Sequence, residues 1–252
     1  MNLISTVVFP IHIYELDPAQ RLSICALACF LQEAAGHNAH GLGFSPMQLM
    51  ERGLTWVLSR LRIRLRELPG WKAQIAVQTW PSGLDRLFAL RDLRILEKER
   101  EIGAATSAWL MLEAEKRRPV RPDSKFNWQG LIHPERSLAV DLEKVSGVEG
   151  GEPMMPEQEL TVRYSDLDMN LHANNTRYVE WLLEAVPLEV LRGPRLAELD
   201  LDFLAEAEHG ERILSRVYEP EPQPSQGARC FRHVLSRRSD GREVARARSL
   251  WL

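Results

Sequence analysis

The sequence predicts an α+β fold built from two copies of one unit, each a curled antiparallel sheet wrapped around a long central helix. Three observations predict it. An apolar helical stretch at 22–35 is followed by four strand patterns. The order strand, helix, four strands then occurs a second time within the 252 residues. Finally, Leu199, Leu201 and Phe203 alternate with Asp200 and Asp202, matching Leu61, Ile63 and Leu65 among the arginines of the first half. Two independent α+β domains satisfy the same patterns.

In the first half, the stretch 22–35 is apolar at Leu22, Cys25, Leu27, Phe30, Leu31 and Ala34 and carries few charges. This predicts a helix buried nearly all round, with Gly36 as its stop. Gly41, Gly43, Pro46 and Gly53 mark a connection with room for one short helix. Arg60, Arg62, Arg64 and Arg66 alternate with Leu61, Ile63 and Leu65, a period of two without exception. Strands follow at 72–80, 87–96 and 102–112, separated by Pro81-Ser82-Gly83 and a charged turn at Glu97–Glu101. Residues 115–157 change character, with basic residues at Lys116 to Arg121 and a later cluster of glycines and prolines. They predict a linker with a short helix around 135–145. The second half reads as a strand at 158–164 and a helix at 174–186 with Tyr178, Trp181, Leu182 and Ala185 on one face. Strands follow near 196–204, 211–219, 228–238 and 243–251. The expected organisation is therefore a unit at 1–114, a linker at 115–157 and a unit at 158–252. Two sheets curled around apolar helices and set side by side form a double hotdog arrangement, two tandem hotdog units in one chain.

Composition bounds the function. Hydrophobic residues make up 44% and charged residues 27%, which excludes long disorder, collagen-like repeats and a coiled-coil rod. No apolar run approaches the roughly 20 residues that a membrane span needs. With 32 Lys+Arg against 35 Asp+Glu, the net charge of −3 gives no electrostatic case for nucleic-acid binding. The N-terminus lacks a basic region and a long apolar run, so no signal peptide is expected. Three cysteines, Cys25, Cys29 and Cys230, are too few for a disulfide framework, and Cys25 and Cys29 read as buried structural thiols. His37 and His40 lack the spacing of a metal site, so no metal is expected. With no Gly-x-Gly-x-x-Gly run and no P-loop, no cofactor is expected either. The absence of a Gly-x-Ser-x-Gly elbow argues against an α/β-hydrolase. A cytoplasmic location is the expectation.

The densest polar constellation runs from Tyr164 to Asn175, between a strand and an amphipathic helix. Asn174 or Asn175 suits the N-cap of that helix. Asp168, Asn170 and His172 are spaced i, i+2, i+4 and converge on one side if the segment is extended. They then sit just ahead of a helix N-terminus, where the dipole favours developing negative charge.

The run Asp-Leu-Asp-x-Asn-x-His-x-Asn-Asn-x-x-Tyr-x-x-Trp, Asp166 to Trp181, resembles the motif of acyl-acyl carrier protein (acyl-ACP) thioesterases. Leu54 to Arg60, Gln78-Thr79-Trp80-Pro81 and the repeat order are also similar to that family. The resemblance implies a double hotdog thioester hydrolase that releases fatty acids from acyl carrier protein. It assigns catalysis to Asp168, Asn170 and His172, with a downstream glutamate at Glu206. Plant relatives carry a cysteine directly after that glutamate. Here the position is Ala207, which favours water activated by a carboxylate, Asp168 or Glu206. Straight alternation puts Glu206 on the face of Asp200 and Asp202, so it reaches the site only if that face borders the site or the strand ends or bulges near Ala205.

Aligning the halves sets Asp17 against Asp168, Ala19 against Asn170, Arg21 against His172 and Leu68 against Glu206. One active site per chain follows, borne by the second half. Leu27, Phe30, Leu31 and Trp56 are the expected acyl-pocket walls, and Asn174 and Asn175 are further substrate-binding candidates. The implied partner is acyl carrier protein bearing acyl-phosphopantetheine, with Lys116, Arg117, Arg118 and Arg121, or the arginine face of 60–66, as docking candidates. The chain is expected to be a monomer or a homodimer. The competing readings are an acyl-CoA thioesterase on the same fold and a non-catalytic acyl-thioester-binding hotdog protein.

Overall fold

The computed structural model describes residues 2–140, 142–148, 150–219 and 227–252. Strand β1 (Ser5–Pro10) leads to helix α1 (Ile24–Gly41) and the short α2 (Pro46–Met50). Four long strands follow: β2 (Leu54–Leu65), β3 (Gln74–Asp85), β4 (Phe88–Glu97) and β5 (Arg100–Glu113). The intervening stretch holds only β6 (Pro119–Val120) and α3 (Pro122–Lys125) among the described residues. The second half comprises β7 (Gln158–Thr161), α4 (Asn175–Leu183), α5 (Leu188–Arg192), β8 (Leu196–Phe203), β9 (Arg212–Tyr218), β10 (Arg229–Arg237) and β11 (Glu243–Trp251).

The strands form one antiparallel sheet in the order β1-β3-β4-β5-β2-β8-β11-β10-β9-β7, with β6 on β5. The second half repeats the order of the first in reverse, so corresponding strands β2 and β8 meet at the centre. There Arg62 lies opposite Asp200 and Ile63 opposite Leu199. The two sheets are thus fused, not separate, and the fold is a double hotdog. Inward residues of both halves, such as Ile63, Ile75, Leu93, Leu201 and Phe231, join the apolar faces of α1 and α4 in one core.

Several details depart from the sequence reading. Helix α1 runs through Gly36 to Gly41, because neither glycine nor its neighbours supply a competing turn and Ser23 caps its start through Ala26 N (3.1 Å). It is not buried all round: Cys29, Glu33, His37 and His40 form an exposed stripe. Cys29 is therefore a surface thiol, whereas Cys25 packs against the core and burial pushes its pKa up to about 12. Helix α4 is half as long as α1. Pro187 prevents its continuation, since proline lacks the amide donor and clashes with the preceding turn.

The helix expected around 135–145 is absent among the described residues (Asp141 lies outside them). That segment is an extended strap over the outer face of the sheet. Buried Asp92 anchors it, accepting from Arg136 Nε (3.0 Å) and Ser137 N (2.6 Å). Arg60 and Arg62 hold the carbonyls of Leu142 and Glu143, and Val145 N donates to Asp202 (2.8 Å). The arginine face of β2 is thus covered. Arg62 pairs with Asp202 (2.8 Å), each side chain only 3% exposed, and Arg64 pairs with Asp200 (2.6 Å). Arg62 is buried and half-buried Arg64 is likewise committed to a carboxylate from the other half, so neither is free to dock a partner.

Candidate active site

The segment before α4 is a hydrogen-bonded turn, not an extended strand. Asp168 N donates to His172 O (2.8 Å), Leu171 N donates to Asp168 O (3.0 Å), and Asn170 N donates to the Asp168 carboxylate (2.7 Å). Leu171 takes a left-handed φ of 63° to close it. Leu167 pairs with Ala173, and His172 pairs with Glu208. Asn174 is the N-cap, accepting from Thr176 N (3.0 Å).

The first half builds the same turn, with one further bond from Arg21 N to the Asp17 carboxylate (2.9 Å). Asp17 N donates to Arg21 O (2.7 Å), and the Asp17 carboxylate accepts from Ala19 N (2.8 Å). Gln20 has φ 62°, Leu16 pairs with Leu22, and Arg21 pairs with Gly70. Leu22 N donates to Pro69 O as Ala173 N donates to Ala207 O. The two turns differ in what hangs on them. His172 Nε2 lies 3.5 Å from Glu206 Oε2, whereas Arg21 turns to Asp17 (3.2 Å) and Leu68 stands where Glu206 does.

Glu206 reaches the turn because β8 ends at Phe203. Leu204 N and Ala205 N both donate to Val244 O (2.9 and 3.2 Å), which breaks the alternation and swings Glu206 off the face of Asp200 and Asp202. Tyr178 Oη donates to Ala205 O (3.1 Å) and Arg237 donates to Glu206 O (3.1 Å), fixing this corner. Burial pushes the Tyr178 hydroxyl well above its usual pKa, so it remains a donor. Arg117, from the stretch after β5, forms an ion pair with the Glu206 carboxylate.

Two cavities meet here. One, of about 430 Å³, is mostly apolar and runs between α1, the inner sheet and the start of the strap. Its walls include Ala35, Phe44, Trp56, Trp109, Trp128 and Leu131. The other, of about 470 Å³, holds His172, Glu206, Arg117, Arg237 and Arg242. Trp56, Asp168, Asn170 and Asn175 border both. The shape suits an apolar tail on one side and a polar carrier on the other, with Asp168 and Asn170 between them.

The structure therefore brings Asp168, Asn170, His172 and Glu206 together, with Asn174, Asn175 and Trp56 at the same junction. It does not bring Phe30 there. Phe30 stacks on Phe9 of the edge strand at 4.5 Å, on a different face of α1 from the cavity-lining Ala35 and Ala39. Leu27 is likewise plain core, and Leu31 lines only a small void of about 30 Å³. Sequence reasoning missed Arg91, Trp109 and Trp128 as wall residues. For Arg91 the signal was present, since it interrupts the apolar alternation of Ala89, Leu93 and Ile95.

A duplicated hotdog sheet with one equipped turn and one bare turn defines a double hotdog enzyme, and known proteins agree. An acyl-ACP thioesterase from Bacteroides thetaiotaomicron superposes with a TM-score of 0.87 at 28% identity, over 100% of this chain and 98% of that one. The fold is also that of a 12:0-ACP thioesterase from Umbellularia californica (TM-score 0.89, 24% identity, 99% and 94% covered). An oleoyl-acyl carrier protein thioesterase of Arabidopsis thaliana is 27% identical over 96% of this chain. A palmitoyl-acyl carrier protein thioesterase of Gossypium hirsutum is 29% identical over the same share. The chain spans 75% and 62% of the lengths of those two plant proteins. Models of the N-terminal and C-terminal domains of acyl-ACP thioesterases match residues 4–126 and 153–252, and the chain belongs to that family of thioester hydrolases.

Proposed function

We propose that this chain hydrolyses the thioester of fatty acyl-ACP and releases the free fatty acid by carboxylate-assisted attack of water. The observation that carries the reading is the meeting of an apolar and a polar cavity at Asp168 and Asn170, beside the His172–Glu206 contact. The acyl chain occupies the first cavity and the phosphopantetheine arm the second. Glu206 takes a proton from water, the water oxygen attacks the thioester carbonyl, and the C–S bond breaks. Glu206 then passes that proton to His172, which delivers it to the departing thiolate, leaving both groups as they began. Asn170 and the N-terminus of α4 face the developing oxyanion.

The first half supports Glu206 over Asp168 as the base. Asp17 accepts the amide two residues on as Asp168 does, although no glutamate faces that turn, so holding the turn accounts for an aspartate at this position. Exposed Lys116, Arg118 and Arg121, with Arg117, Arg237 and Arg242 at the polar mouth, supply a basic docking surface for an acidic carrier. One chain carries every group the scheme uses, so a monomer suffices. A free surface thiol at Cys29 fits a reducing cytoplasm.

The test is thiol release from acyl-ACPs of C8 to C18 beside the matched acyl-CoAs. Faster release from ACP supports the proposal. A preference for CoA moves the carrier but keeps the chemistry, and tight binding without turnover makes this a binding protein.

A further inference from the structure

Strands β5 and β6 form a hairpin, with Met111 opposite Val120 and Leu112 opposite Pro119. Its turn, at 114–117, is tied at both ends. Glu113 N donates to Arg118 O (2.9 Å), Arg117 N donates to Glu113 O (2.9 Å), and Ala114 N donates to Gly53 O (2.8 Å). Arg117 closes the turn with a left-handed φ of 53°. A glycine takes that conformation without steric cost, so this position keeps a side chain that the turn itself does not ask for.

That side chain reaches Glu206. Its guanidinium pairs with Oε1, while Oε2 faces His172 Nε2 at 3.5 Å. Among the described residues the Glu206 carboxylate has no other partner. The main chain below it is fixed from the second half, by Arg237 on the Glu206 carbonyl and by Tyr178 on the Ala205 carbonyl. The side chain is 36% exposed, and a glutamate in that setting spreads over many rotamers unless something holds it. An ion pair between partly exposed groups adds little to stability. What this one supplies is direction.

We propose that Arg117 is a positioning residue, which holds the Glu206 carboxylate beside His172 so that the first half completes the single active site of the second. The proposal rests on the reading of Glu206 as the general base. Arg117 falls within the stretch 4–126 that matches the N-terminal domain, so neither domain holds the base in place by itself. The exposed neighbours Lys116 and Arg118 remain for the carrier.

Positioning and docking separate on an acyl-N-acetylcysteamine thioester, which has neither phosphate nor carrier. On that substrate Arg117→Met should lower kcat about 10- to 30-fold with KM little changed, the population lost when a glutamate regains its rotamers. Arg117→Lys, which keeps the charge, should recover part of the loss. In a Glu206→Gln background Arg117→Met should cost nothing further. A loss confined to acyl-ACP and read in KM makes Arg117 a docking residue and overturns the proposal. So does a loss of the same size in the Glu206→Gln background. Full turnover by Glu206→Gln places the base elsewhere and overturns the proposal, while the hydrolase reading stands. The NMR signals of the His172 ring in the unliganded protein give a readout without turnover. Arg117→Met and Glu206→Gln should move them alike, and Glu115→Gln, in the same turn, should leave them in place. Signals that move so in a protein that hydrolyses no acyl thioester uphold Arg117 and sink the hydrolase reading. Signals that Arg117→Met leaves in place overturn the proposal.

Discussion

Asp168 accepts the amide of Asn170 as Asp17 accepts the amide of Ala19, yet only the second turn has a glutamate facing it. That comparison fixes the expected order of two substitutions. Glu206→Gln should lower kcat by roughly 10²–10⁴ while leaving the fold intact, the usual worth of a general base. Asp168→Asn keeps a side-chain oxygen for the turn and should lose less, about tenfold. Equal losses in single-turnover assays would return Asp168 to the role of base. A different residue sets an acid limit. His233 is fully buried with Nε2 2.7 Å from Ser249 Oγ, and burial lowers its pKa to about 4. The unfolded chain binds that proton near pH 6.5, so the unfolded state is favoured as the pH falls from 6.5 toward 4. The stability tied to the neutral ring, on the order of 3 kcal/mol, is complete above pH 6.5 and lost by about pH 4. Urea midpoints measured across that window should fall more steeply for the wild type than for His233→Gln. Parallel curves would exclude this histidine as the cause.

At the scale of elements, most strands were legible because their apolar residues repeat every second position over long runs, as in Leu61, Ile63 and Leu65. The site motif was legible as a cluster of side chains, but its conformation was not. Alternating polar residues look alike in a strand and in an Asx-type turn, and only the bonds of Asp168 decide between them. Glu206 was ambiguous for a related reason, since the end of β8 is set by two amides sharing Val244 O, a residue 40 positions away. Gly36 was read as a stop, yet it sits within α1 beside the apolar cavity, and a methyl group built there meets nothing within 4 Å. Gly36→Ala should therefore stabilise α1 by about 0.5–1 kcal/mol through the unfolded chain and the helix propensity. The thermal midpoint should rise by roughly 1–4 °C, and a fall would mean that the helix depends on a bend at that residue.

At the scale of the whole molecule, the burial of Arg62 was not legible in the arginine stripe of β2, because its partner comes from the other half of the chain. Arg62 and Asp202 are 140 positions apart, and burial turns a seemingly solvated face into a junction. Removing one partner strands a buried charge, so Arg62→Met should cost roughly 3–5 kcal/mol. Adding Asp202→Leu should recover part of that loss, even though the amide of Val145 then loses its acceptor. A double variant no more stable than Arg62→Met, measured by denaturant unfolding, would show that the strap bond outweighs the ion pair. The strap itself has a further consequence. Arg60, Arg62 and Arg232 grip the main-chain carbonyls of Leu142, Glu143, Ser146 and Gly147. Every residue type offers that carbonyl, so substitutions along these four positions leave the grips in place. An inserted or deleted residue moves every later carbonyl by one step and misaligns the grips together. Evolution is therefore free to rewrite the spelling of this segment but not its letter count.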